Sequence, residues 1–188
     1  MASAKRIAQF ANLREPIETD KIIYLDGSFD IFHPGHIELI KKAKLLGNYL
    51  IIGIHEDHCV NQYLGSAYPL NTLHERVLNI LACKYVDDVI IGAPFKITER
   101  MIRDLNISVV VQSLDVIQGN VNCQALDLNP YEVPMSKDIL VKVEIDSDID
   151  LKEIVRRVAS NREVMVKIVK WLAKQDAYEK NSKFICEI

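Results

Sequence analysis

Asp26-Gly27-Ser28-Phe29-Asp30-Ile31-Phe32-His33-Pro34-Gly35-His36 is the stretch on which the fold of this chain turns. It follows the apolar run KIIYL at 21–25, bounded by an Asp-Gly turn signal, which reads as a buried strand. From Pro34, a residue favoured at the first helical position, apolar residues recur at Ile37, Ile40, Ala43, Leu45 and Leu46, and Gly47 supplies a stop. Strand, loop and helix are therefore predicted in succession. Loops of this kind attract phosphate, because the first N–H groups of a helix have no internal partner and the macrodipole adds roughly half a positive charge. His33 and His36 can then donate hydrogen bonds to a phosphoryl group as its charge grows. The competing reading is that both imidazoles only cap the helix.

Working outward, YLIIGI at 49–54 is a second continuous apolar run, suited to a strand covered on both faces. A loop is expected over 55–70. Thr72 and Glu75 fit a capping box opening a helix that runs through Cys83. Further strands are expected at 89–91 and 108–111, with a helix over 97–105 capped by Thr98 between them. The alternation is β-α-β-α-β-α-β, which means right-handed crossovers and a doubly wound, mostly parallel α/β sheet. With 139–143 it has about five strands. Ligands of such sheets sit outside the carboxyl ends of the strands, where the opening loop lies. The run 114–134, with Gly, Pro and several Asn, is expected to be a long functional loop, and Ser147 to cap a helix over about 150–159, with a second helix towards Gln175. Residues 1–20 read as an arm or linker, 21–175 as one domain, and 176–188 as a polar, frayed tail.

Composition narrows the function classes. The 188 residues are 49% hydrophobic, ample for a core, and the net charge of −3 offers no footprint for nucleic acid or an anionic membrane. Phosphate-rich ligands must be held by a local site. Cys59, Cys83, Cys123 and Cys186 lack CxxC spacing and read as reduced thiols of a cytoplasmic protein. No run approaches a membrane span, and no targeting segment is visible. His55, His58 and Cys59 cluster in HEDHC, but the spacing matches no zinc pattern, and solvated loop residues are the preferred reading.

The pattern GxFDxFHxGH after the first strand resembles the signature of the cytidylyltransferases, within the wider HxGH nucleotidylyltransferase superfamily. Leu73-His74-Glu75-Arg76 extends the likeness, as does Tyr85-Val86-Asp87-Asp88-Val89 after Lys84, similar to the family's RYVDEV with Lys for Arg. The wording of 71–95 is similar to the second half of those cytidylyltransferases that use phosphoethanolamine, in which two such domains lie in tandem, and 6–10 looks like the linker before that half. The likeness runs from about residue 5 to 170. It implies attack of a phosphoethanolamine oxygen on the α-phosphorus of CTP, giving CDP-ethanolamine and pyrophosphate, with Mg2+ arriving on the nucleotide and no protein-bound metal site. It further implies that His33 and His36 are catalytic, that Gly27, Ser28, Phe29 and Gly35 line the triphosphate, that Arg76 and Asp115 also bind nucleotide, and that Asp57 lies near the phosphomonoester. The plainer alternatives are an exposed helix arginine for Arg76 and turn residues for Asp57 and Asp115. The implied partner is a catalytic half or a second copy, met through Tyr85-Val86-Asp87-Asp88-Val89.

The departures matter too. Active members carry an RTxGISTT-like segment after the last strand, whereas this chain reads Val143-Glu144-Ile145-Asp146-Ser147-Asp148-Ile149-Asp150, acidic and without arginine. A lysine that active relatives carry after the second strand has no counterpart in Gln62-Tyr63-Leu64-Gly65-Ser66-Ala67. Impaired turnover, or a non-catalytic partner domain, is therefore expected; another HxGH nucleotidylyltransferase is the remaining alternative.

Overall fold

The computed structural model describes residues 15–114, 129–146 and 151–181. Five strands form one sheet, β1 (Ile22–Gly27), β2 (Tyr49–His55), β3 (Asp88–Ala93), β4 (Ile107–Ser113) and β5 (Leu140–Val143), all parallel and ordered β3-β2-β1-β4-β5. The order reverses between β1 and β4, so a crevice opens at their carboxyl ends. The expected doubly wound α/β sheet of five strands is therefore present.

Helices α1 (Pro34–Lys44), α2 (Asp57–Leu64), α3 (Leu73–Leu81), α4 (Glu99–Asp104) and α5 (Glu132–Ser136) connect the strands. Strand side chains alternate between two covered faces. Ile23, Leu25, Leu50 and Ile52 meet Leu39 and Ile40 of α1 and Val77 and Ile80 of α3. Ile22, Tyr24, Tyr49 and Ile51 meet Ile97 and Ile102 beneath α4. Both faces of β1 and β2 are dry, which is why the two read as unbroken apolar runs. At the opposite end of the sheet Lys44 pairs with Asp87, whose carboxylate also accepts the Leu50 N–H at 2.7 Å, tying α1 to the entries of β2 and β3.

Three local expectations change. The 55–70 segment is not all loop: Asp57–Leu64 is helical, because Cys59, Val60 and Tyr63 form a buried stripe packed on Leu64, Tyr68 and Phe95. Asp26 and Gly27 do not end the first strand but extend it, pairing with Gly53 and Ile54. Within 114–134, the described residues include α5, with Pro134 buried.

The chain divides into two compact units, 1–148 and 149–188. The second contains α6 (Leu151–Ser160) and α7 (Arg162–Asn181), and α7 continues past the point where a frayed tail was expected. Glu153 bridges Arg156 and Arg157 on α6, and the Ser160 hydroxyl donates to the Arg157 carbonyl where the helix ends. No helix among the described residues is long and apolar enough to cross a membrane.

Candidate active site

The loop between β1 and α1 is held from below. Phe29 and Ile31 have φ of 50° and 41°, a left-handed conformation that side-chain-bearing residues adopt only when their surroundings enforce it. Asp30 supplies that enforcement. Its buried carboxylate accepts the N–H groups of Leu70 at 2.6 Å, Asn71 at 2.8 Å and Ile31 at 3.0 Å, while Asn71 Oδ1 takes the Ile31 N–H at 3.1 Å.

Arg76 is the second brace. The capping box at the start of α3, where Glu75 accepts the Thr72 N–H at 2.8 Å, aims the next side chain under the loop. There its guanidinium is wholly buried. Nη1 donates to the Ser28 carbonyl at 2.6 Å, Nη2 to the His55 carbonyl at 2.8 Å and Asp57 Oδ1 at 2.6 Å, and Nε to the Asn71 carbonyl at 3.2 Å. One planar fork thus joins the exits of β1 and β2, the first turn of α2 and the entry to α3. Arg76 is not the exposed helix arginine of the plainer reading, and it reaches the Asp57 that the sequence named separately.

Above these braces, His33 is the residue before α1, Pro34 opens it, and His36 lies in its first turn. The two imidazoles stack with centroids 3.8 Å apart and planes at 29°. Phe32 lies parallel to His36 at 5.8 Å and Phe29 is tilted against it at 5.4 Å. Burial, and then the neighbouring His33, push the His36 pKa down to about 3, so its ring is neutral near pH 7. Lys41, Lys42 and Lys44 in the last turn complement the other end of the helix dipole. Gly35 is buried, and a Cβ on Gly27 would meet the Phe29 ring at 3.4 Å.

A buried polar cluster beneath the same crevice was not singled out from the sequence. Tyr24 and Asp26 on β1 and His55 on β2 project to one side of the sheet, where Gly53 leaves room for the Tyr24 hydroxyl; a Cβ there would lie 2.1 Å from it. Asp26 Oδ1 accepts the Tyr131 hydroxyl at 2.8 Å. His55 Nδ1 is 3.0 Å from the Tyr63 hydroxyl, and its Nε2 faces Asp26 Oδ2 at 3.7 Å. Asp26 Oδ2, His55 Nε2 and the Tyr24 hydroxyl are all buried and have no hydrogen-bond partner. Burial and the Asp26 charge raise the pKa of Tyr24, and burial raises those of Tyr63 and Tyr131, so all three stay protonated. An Asp followed by Gly looks like a turn in sequence; the usable signal was the even spacing of Tyr24 and Asp26 on one strand.

The HEDHC residues separate. His55 is buried in the cluster just described rather than solvated, His58 is exposed near Glu56 at 3.8 Å, and Cys59 is buried under α2. No group of three or more His, Cys, Asp or Glu among the described residues could hold a metal ion. Asp115 lies outside the described residues. So does the acidic segment from residue 147 on; its earlier part docks on the flank of α1, where Lys42 donates to the Glu144 carbonyl at 2.9 Å and to Asp146 Oδ2 at 3.0 Å. Glu38 completes this latch by accepting the Asp146 N–H at 3.1 Å and pairing with Lys42 at 2.8 Å.

Comparison with known proteins supports the family and the fold. The profile of the cytidylyltransferase-like family matches residues 24–182. The chain is 43% identical over 166 residues to the ethanolamine-phosphate cytidylyltransferase of Dictyostelium discoideum, covering 86% of this chain and 44% of that one. It is 39% identical over 180 residues to the protein of the same name from Arabidopsis thaliana, covering 96% and 42%. The chain therefore spans less than half the length of these relatives. Among solved structures, a lipopolysaccharide core biosynthesis protein of Thermoplasma volcanium GSS1 shares the fold, with a TM-score of 0.50 and 21% identity over 70% of this chain and 99% of that one.

Proposed function

Because the chain belongs to the cytidylyltransferase-like family, we propose that it is one half of an ethanolamine-phosphate cytidylyltransferase, taking CTP and phosphoethanolamine. A phosphomonoester oxygen attacks the α-phosphorus of CTP, the bond to the bridging oxygen breaks, and pyrophosphate leaves with that oxygen to give CDP-ethanolamine. The observation that carries the reading is the stacked His33 and His36 pair at the start of α1, at the carboxyl end of the central strand. Phosphoryl transfer needs alignment and donors aimed at growing charge rather than covalent help. A neutral His36 keeps an N–H to give and carries no charge that must be desolvated. His33 and His36 act on the transferred phosphoryl group, while the backbone of Gly27, Ser28, Phe29 and Gly35 lines the triphosphate.

Arg76 serves the nucleotide by fixing the loop that holds it, Asp57 stands at the substrate side, and Asp115 remains the candidate contact to the base. The Asp26 carboxylate, with Oδ2 unpaired, supplies the negative charge for the substrate's ammonium group. The divalent cation of such reactions would arrive on the nucleotide, held by phosphate oxygens. A contact with a catalytic half or a second copy through Tyr85-Val86-Asp87-Asp88-Val89, and residence in the cytoplasm with Cys59 and Cys83 as free thiols, complete the reading.

The test is calorimetry with CTP and CDP-ethanolamine beside an assay of pyrophosphate release. CTP should bind, and His36→Ala should lower any turnover by about 100-fold or more. Binding of ATP without CTP would sink the assignment. A second reading, a nucleotide-binding partner domain without turnover, is favoured by Glu144 and Asp146 latched to α1 where the family resemblance expects arginine. CTP binding with no pyrophosphate release would select that reading.

A further inference from the structure

We propose that the apolar side of α6 and α7 is a docking surface for a lipid bilayer with anionic headgroups, against which the two helices lie in the plane of the interface.

The placing of residues along the helices carries the proposal. On α6, Leu151, Ile154, Val155 and Val158 fall on one side, while Lys152, Arg156 and Arg157 fall on the other. On α7, Glu163, Lys167, Lys170 and Lys174 recur at i, i+4, i+7 and i+11, which gathers them into one narrow polar stripe. The wider remaining arc carries Val164, Met165, Ile168, Val169, Trp171 and Leu172. All six are exposed, Val169 by 63% and Trp171 by 57%. Val158 at the end of α6 and Met165, Val166 and Val169 of α7 line an apolar groove, with Arg162 and Lys170 in its walls. A contiguous apolar surface rimmed by charge marks an interaction site.

Charge selects the occupant. Over 151–175, seven Lys or Arg stand against two Asp or Glu, a local balance of +5 in a chain whose total is −3, so the whole-chain charge conceals a basic segment. One of the two acids, Glu153, is already engaged by Arg156 and Arg157. A second copy of the same surface would bring like charge against like charge. An anionic bilayer answers both parts of the pattern. Its acyl chains receive the apolar arc, while the lysine stems lie along that arc and carry their ammonium groups to the headgroups. Tryptophan favours the same boundary, because its ring is apolar and its one N–H needs a partner. Neither helix is long and apolar enough to cross a bilayer, which leaves the interfacial position.

The experiment mixes the full chain with vesicles of phosphatidylcholine, with and without phosphatidylserine, and reads flotation and tryptophan emission. Trp171 is the chain's only tryptophan, so the emission reports on α7 alone. The chain should float with the phosphatidylserine vesicles and its emission should shift to the blue. Binding to phosphatidylcholine alone should be at least about tenfold weaker, and added salt should release the chain. Val169→Glu should abolish the blue shift. Lys170→Gln, which sits on the polar stripe and serves if the first variant does not fold, should weaken binding about fivefold. Absence of flotation, equal binding to the two kinds of vesicle, flotation with the emission unmoved, or binding unaffected by both variants overturns the proposal. A blue shift that grows with protein concentration in the absence of vesicles assigns the face to a second copy and overturns it as well.

Discussion

Arg76 carries the most consequence of any single residue. Its guanidinium serves four acceptors from four segments in a fully buried position, so truncation leaves three carbonyls and a carboxylate unserved at once. Leaving a buried acceptor unpaired costs about 1–3 kcal/mol, while the Asp57 carboxylate, about half exposed, turns to water. Arg76→Ala is therefore expected to lower stability by that amount in urea unfolding, and Arg76→Lys to recover little, since one ammonium cannot reproduce the fork. A variant of normal stability with weakened CTP binding would make Arg76 a direct ligand instead. His36 predicts a pH dependence. Its folded pKa, about 3, lies below the ordinary value of 6.5, so the folded state binds fewer protons than the unfolded chain. Its contribution is fully present above pH 6.5 and is lost as pH falls from there towards 3. The urea midpoint should decline over that window in the wild type and decline less in His36→Gln. A wild-type midpoint flat from pH 7 to 4.5 would contradict the buried, neutral imidazole.

At the scale of elements, α3 and α1 differ in how much their ends matter. The capping box on α3 also sets the aim of Arg76, so Thr72→Ala should cost about 1 kcal/mol or more and weaken ligand binding with it, measured by unfolding and by CTP titration. The Lys42 latch on α1 lies at the surface. Exposed pairs of this kind contribute little, so Lys42→Ala should leave the unfolding midpoint nearly unchanged while speeding amide exchange at Asp146. A large loss of stability there would mean that the acidic segment is built into the core. Most elements were legible from sequence for a simple reason. Strands buried on both faces must be apolar at every position, and 49–54 is; Thr98 caps α4 as its hydroxyl demands, accepting the Met101 N–H at 3.2 Å. Helix α2 was missed because its stripe, Cys59, Val60, Tyr63 and Leu64, is interleaved with His58, Asn61 and Gln62 and is too short to outweigh them.

For the whole molecule, ligand binding and folding should be coupled, because the loop proposed to receive the nucleotide is pinned by contacts reaching residue 71. CTP at 100 times its dissociation constant should stabilise the chain by about 2.7 kcal/mol, read as a rise in thermal midpoint. No shift with CTP at concentrations that calorimetry shows to saturate would separate the site from the fold.

The sequence by itself determined the order of the strands, most of the helices between them and the family, because these follow from local periodicity, turn chemistry and contiguous motif residues. It could not reveal the Asp26, His55 and Tyr24 cluster or the burial of Arg76. Asp26 is a turn signal when read with Gly27 and becomes a buried carboxylate only when β1 pairs with β2 to its last residue. His55 read as a loop residue, and Arg76 could equally have been solvated. The partners of each include residues 19 to 105 positions away in the chain, and only the packing of the sheet brings those together.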